Sequence, residues 1–140
     1  MDKFTVSSDP KALDFEMIYD FISQSYWAKG IPRETLQKAI DNSLVFGVYT
    51  EAGAQVGFAR LSTDKATFAY LADVFILEPY RGRGLSKLLV SNIINHPDLQ
   101  GLRRMMLATR DAHGLYADFG FKPIENPDML MQIWNPTVYQ

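Results

Sequence analysis

The stretch "VFILEPYRGRGLSKLLVSNII", Val74 to Ile94, decides the architecture. An apolar run stops at Glu78-Pro79 and passes Arg81-Gly82-Arg83-Gly84. It then resumes with Leu85, Leu88, Leu89 and Ile93 on one helical face. The pattern is strand, turn, helix. Backbone N–H groups at a helix start are unpaired and carry a partial positive charge. Glycines let a ligand approach that backbone closely, so this turn suits a pyrophosphate. Arg81, Arg83 and Lys87 concentrate positive charge around it. The same residues also suit a plain tight turn with solvated arginines, and the four of them alone do not separate the two readings. A dinucleotide fingerprint would need a third glycine where Lys87 stands. A P-loop would need Gly-Lys-Ser/Thr, which is missing.

Upstream, "TFAYLADVFIL" (Thr67 to Leu77) is long and almost wholly apolar, which predicts a central strand buried on both faces. "LVFGVYT" (Leu44 to Thr50) and "QVGFARLST" (Gln55 to Thr63) are β-rich and separated by the turn "EAGA"; Asp64-Lys65 reads as a two-residue turn. "KFTVSS" alternates like an edge strand. From Pro10 to Gln24, Leu13, Met17 and Phe21 repeat every four residues with Ile18 and Ile22 alongside, predicting one amphipathic helix. A loop, "SYWAKGIP", leads to a second helix from Pro32 to about Asn42. Downstream, "RRMMLATR" predicts a strand, and "DAHGLYADFG" a short helix capped by Asp111 and ended by Gly120. "FKPI" and "MLMQIWN" predict a closing strand pair. The result is one α/β domain over residues 1–140: a mixed, largely antiparallel sheet of about 6–7 strands with helices on both faces.

Composition narrows the function. Apolar residues make up 47% and charged residues 21% of the 140, as in ordinary globular proteins. A net charge of −2 and a pI near 5.6 argue against a broad nucleic-acid surface. The absence of cysteine excludes disulfides, thiolate nucleophiles and cysteine-based metal sites. No His/Asp/Glu cluster has metal-ligand spacing. The sequence lacks a signal-peptide core and any long apolar run, so the expectation is a cytoplasmic protein without membrane contact.

"VFILEPYRGRGLSKLL", followed some thirty residues on by "GLYADFGF", resembles the GNAT superfamily of acyl-CoA-dependent N-acyltransferases. The family's pyrophosphate motif, Arg/Gln-x-x-Gly-x-Gly/Ala, reads here Arg81-Gly82-Arg83-Gly84-Leu85-Ser86, with Ser86 departing at the last position. The resemblance implies acetyl-CoA as donor cosubstrate, held by residues 81–87. It also implies that the backbone of Phe75, Ile76 and Leu77 pairs with pantetheine and stabilises the thioester oxyanion. Tyr116 matches the tyrosine that many members use as acid for the departing thiolate. A phenol near pKa 10 protonating a thiolate near 8.5 works uphill by about 2 kcal/mol, so Tyr116 is better described as a hydrogen-bond donor. A purely structural role for its hydroxyl is the competing reading.

Asp73 is the only charge in Thr67–Leu77. With a two-residue turn it lies opposite Val56 and gains no cationic partner, leaving it as base, anchor or loop-orderer. Tyr26 and Trp27, in the loop that overhangs the acceptor site in the family, are candidate acceptor contacts, although Trp27 would serve equally as a core anchor. Arg60, Tyr70 and His113 are weaker candidates for the same cleft. The expected activity is acetyl transfer to a primary amine, a small molecule's by preference, by direct attack in a ternary complex. The alternatives are a non-catalytic acyl-CoA-binding module and an acetyltransferase of a protein N-terminus or lysine. A homodimer fits the family's habit.

Overall fold

In the computed structural model, which describes residues 3–140, five strands form one sheet in chain order, β1 to β5. These are β1 (Phe4–Ser7), β2 (Leu44–Thr50), β3 (Gln55–Thr63), β4 (Phe68–Ile76) and β5 (Arg104–Leu107). The first four run antiparallel, and β5 pairs parallel to β4. Helices α1 (Phe15–Ile22) and α2 (Arg33–Asp41) cover one face, burying Ile18, Ile22, Leu36 and Ile40 against Val45, Phe58 and Phe75. Helix α3 (Leu85–Ile94) and the short α4 (His113–Ala117) cover the other, where Leu85, Leu89, Val90 and Ile93 pack on Phe46, Val48 and Leu61. The apolar spacing in the sequence predicts these faces, and the helix boundaries of α2 and α3 fall where expected.

Four expectations need correction. The first helix is broken: Pro10–Ala12 is a 3-10 turn, Leu13 is extended, and Asp14 starts α1 by accepting the Met17 N–H. A second N-cap inside the apolar repeat outweighs its period. β4 is not buried on both faces, since Phe68 and Tyr70 are exposed. Helix α4 begins after Ala112, with no side-chain cap from Asp111. Finally, neither "FKPI" nor "MLMQIWN" forms a strand, which leaves five strands where about 6–7 were expected, with β5 at the edge. Pro123 has no N–H to give a ladder, and Pro127 opens a 3-10 turn instead.

The β3–β4 turn is also longer than two residues. The Asp64 carboxylate accepts the N–H groups of Ala66, Thr67 and Phe68 and the Thr67 hydroxyl. These bonds hold its pKa well below the usual carboxylate range. The longer turn sets Arg60 opposite Ala72 and Phe58 opposite Phe75, so Asp73 and Val74 face Ala59 alone. This is a β-bulge, and Asp73 adopts φ 56 within it.

Candidate active site

Beyond the Leu71–Leu107 pair, β4 and β5 no longer share a register, and a gap opens beside residues 72–76 of β4. The Arg/Gly turn lies at the far end of that strand. Gly82 and Gly84 have φ 79 and 78, and a Cβ on either would meet nothing within 4 Å. Conformation, not crowding, therefore demands glycine here, and the side-chain-free space is open to a ligand. The first bond of α3 runs from the Leu88 N–H to the Gly84 carbonyl. The N–H groups of Leu85, Ser86 and Lys87 have no partner among the described residues. Arg83 lies over the Tyr80 ring at 5.5 Å. Lys87 reaches Asp118 at 3.8 Å, an exposed pair of little energetic weight. Arg81 turns inward, its Nε donating to the Ile76 carbonyl at 2.9 Å.

The three residues expected to meet pantetheine differ. Phe75 stacks on Phe21 with centroids 3.9 Å apart, so its side chain serves the core. The Ile76 carbonyl is taken by Arg81. Leu77 uses both backbone groups, donating to Val56 and accepting from Tyr80.

A cleft of about 670 Å3 opens where the strands part. It brings together Tyr26, Trp27, Arg60, Tyr70, Asp73 and Tyr116. His113 is exposed at the start of α4 and does not line it. Tyr116 is 7% exposed and packs edge-on to Phe121. Its hydroxyl has no hydrogen-bond partner among the described residues, yet it is not sealed from the cleft. Burial pushes its pKa above 10.

Asp73 is neither lone nor unpartnered. One carboxylate oxygen accepts from Arg60 Nε at 2.6 Å and the other from Trp27 Nε1 at 2.7 Å. The longer turn makes this possible by moving Asp73 from Val56 to Ala59, next to Arg60, and the bulge there gives Asp73 its φ of 56. Arg60 also donates to the Ser43 hydroxyl. The Asp73 and Arg60 side chains are only 8% and 20% exposed. Trp27 is thus an exposed ring tied at its edge to the sheet, not a core anchor. Tyr26 packs edge-on against it and carries the Arg110 guanidinium 3.8 Å above its face. Arg110 was not singled out in the sequence, and Asp111 only as a helix cap, although they lie three and four residues beyond β5, near the strand ends where α/β folds gather ligands. Tyr139, which also lines the cleft, gives no local signal.

Residues 15–121 match the model of the Acetyltransferase (GNAT) family, and the chain belongs to that family. A Gibberella zeae protein bearing an acetyltransferase name is 33% identical across 81% of this chain and 75% of its own length. The [Ribosomal protein bS18]-alanine N-acetyltransferase of Haemophilus influenzae is 27% identical, covering 86% of this chain and 84% of its own. A crystal structure of a GNAT-family protein from Xanthomonas campestris pv. campestris is 52% identical over 99% of this chain and 98% of that one, with a TM-score of 0.95. If residues 122–140 ran differently in the two proteins, the score could not exceed 121/140, about 0.86. The two proteins therefore share the course of the strandless C-terminal segment. Among the described residues, no helix is long and apolar enough to cross a membrane.

Proposed function

We propose that this protein transfers an acetyl group from acetyl-CoA to a primary amine of a small molecule, by direct attack within a ternary complex. The observation that carries the reading is the pairing of an open glycine cradle with an unpartnered Tyr116 hydroxyl, at the two ends of one strand gap. The turn of residues 81–87 would hold the pyrophosphate through the unpaired N–H groups of α3 and the nearby cations. The amine nitrogen would attack the thioester carbonyl; the C–N bond forms, the C–S bond breaks, and the sulfur leaves as a thiolate. Tyr116, kept neutral by burial, would donate a hydrogen bond to that sulfur. Its raised pKa makes full proton transfer still less favourable than for an ordinary phenol.

The engagement of Asp73 bears on the acceptor. Both its oxygens hold donors, so serving as a base would mean surrendering one of them. The site then favours amines that arrive neutral. An amine of pKa near 8 is about a quarter neutral at pH 7.5, whereas a lysine near 10.4 is about a thousandth neutral. A protein α-amine meets the same requirement, and the bS18-alanine acetyltransferase relative gives that second reading weight. Releasing CoA thiol from acetyl-CoA with panels of small amines, peptides with unblocked N-termini, and lysine peptides at pH 7.5 tests the proposal. Fastest turnover on small amines is expected. Fastest turnover on lysine peptides overturns it, and CoA binding without turnover on any amine would indicate a sensing module.

A further inference from the structure

Arg60 and Arg110 both line the cleft where β4 and β5 part, and only one of them is spent. Arg60 gives Nε to Asp73 and a terminal nitrogen to the Ser43 hydroxyl, and its side chain is mostly buried. Arg110 is exposed, and it donates no hydrogen bond and enters no ion pair among the described residues. Its sequence neighbour Asp111 also lines the cleft but does not pair with it.

Arg110 is held in place all the same. Its guanidinium carbon lies 3.8 Å from the centre of the Tyr26 ring. Tyr26 packs edge-on to Trp27, and the Trp27 indole donates to Asp73. Through these rings Arg110 is tied to the bonded wall of the cleft. An exposed arginine with only water to bond is spread over many rotamers. A guanidinium perched on a ring has given up much of that freedom, so gripping a ligand costs it less.

The perch leaves the N–H groups free at the guanidinium edge, and their fork matches a carboxylate or phosphate through parallel bonds. An alkyl amine without an anionic group would leave that fork to water. Asp111 does not cancel it. Both groups are exposed, so charge alone is screened, and the directed N–H groups select the ligand. An anion on the acceptor also raises the pKa of its amine, and pairing that anion with a guanidinium offsets the rise. An acceptor held this way keeps the modest amine pKa that a committed Asp73 requires.

We propose that Arg110 is a specificity-determining residue that binds an anionic group, carboxylate or phosphate, on the acceptor, which makes the substrate class small aminocarboxylates or aminoalkyl phosphates. Tyr26 is its positioning residue. The inference rests on the acetyl-transfer reading of this cleft.

Calorimetric titration of CoA-loaded protein with glycine, β-alanine, 4-aminobutyrate and 2-aminoethyl phosphate, each beside its amide or alcohol counterpart, tests this. Release of CoA thiol from acetyl-CoA with the same amines is measured in parallel. At least one anionic amine should bind about tenfold more tightly than its uncharged counterpart, with KM lower by the same factor and kcat little different. Arg110→Gln should erase that difference while keeping the circular dichroism of the parent, and Arg110→Lys, which keeps the charge without the fork, should restore part of it. Tyr26→Leu should shrink the difference with Arg110 still present. A gain confined to carboxylates, or to the phosphate, supports the proposal and identifies the anion. Uncharged amines binding as tightly as all their anionic counterparts overturn it, and so does a preference that Arg110→Gln leaves intact. Turnover decides the other reading separately. An Arg110-dependent preference in binding without acetyl transfer to any amine keeps the anion site and overturns acetyl transfer; transfer that is indifferent to the anion does the reverse.

Discussion

In the cradle, the side chains step back. Gly82 and Gly84 leave open space, and the helix offers N–H groups without a partner among the described residues. At the acceptor wall, side chains are committed to one another: Trp27 and Arg60 to Asp73, Arg60 to Ser43, Arg110 to Tyr26. One half is specified by backbone conformation and is open to a ligand. The other is a bonded assembly whose geometry exists before any ligand arrives. Substitutions should therefore act differently in the two halves: on binding in the cradle, and on stability and binding together in the wall.

The largest effect is expected at Asp73. Asp73→Ala leaves a mostly buried guanidinium and an indole N–H without their acceptor, a loss of about 3 kcal/mol. A fall in melting temperature on the order of 10 °C should follow. Asp73→Gly should be milder by about 1 kcal/mol, because φ 56 suits glycine. Thermal denaturation of the two variants checks both statements. If Asp73→Ala melts with the parent, the wall is not a bonded assembly and the contrast with the cradle collapses.

Gly84→Asp is the matching change in the cradle. It places a carboxylate where the phosphates would sit, and CoA affinity should drop about a hundredfold, or about 2.7 kcal/mol. Stability should fall by only about 1 kcal/mol for the positive φ, since the added atoms meet empty space. Calorimetry with CoA decides it, and unchanged affinity would mean that the pyrophosphate binds elsewhere.

The same contrast explains what could be read from the sequence. The cradle was legible because its ingredients are contiguous: two glycines, three cations and a helix start within seven residues. Tyr116 was legible by family resemblance, and its unpartnered hydroxyl favours the donor role over a structural one. The wall was not legible, because Asp73 comes beside Arg60 only through the turn that Asp64 organises nine residues away, and no local pattern marks the bulge at Ala59. A turn of two residues and a turn of four look alike in the string "STDKATF", yet they place every later cross-strand pair differently. The missing closing strands failed for another reason. "MLMQIWN" has strand-forming composition, but pairing needs a partner edge, and the segment does not join the edge of β5.

A smaller effect is expected from Tyr116→Phe. It removes one hydroxyl that has no hydrogen-bond partner among the described residues, so stability should be unchanged or slightly raised. Turnover should fall about tenfold with CoA affinity intact. The pH profile gives an independent check. Burial raises the Tyr116 pKa, so the donor stays protonated across the working range. Turnover should therefore climb as the amine loses its proton, with no decline from Tyr116 below pH 10. A falling limb near pH 8–9 that vanishes in Tyr116→Phe would show the tyrosine ionising in that range, contrary to its buried setting.

Trp27→Phe should be the gentlest of these changes, and it probes whether the wall serves the acceptor. Phenylalanine keeps a ring against Phe21 and Tyr26 but removes the indole N–H that Asp73 accepts. Asp73 retains Arg60, so its carboxylate is still partnered, and the cost should be about 1 kcal/mol. Because Trp27 is 42% exposed, water can take the vacated position and reduce that further. With one tether gone, the Ser25–Pro32 loop would be held less firmly over the cleft. The acceptor KM should rise a few-fold, while acetyl-CoA binding, proposed for the turn at the opposite end of β4, should not change. Measuring both constants on the same preparation separates the halves of the site. If CoA affinity falls as much as acceptor affinity, the loop is coupled to the cradle, and the two regions act as one unit.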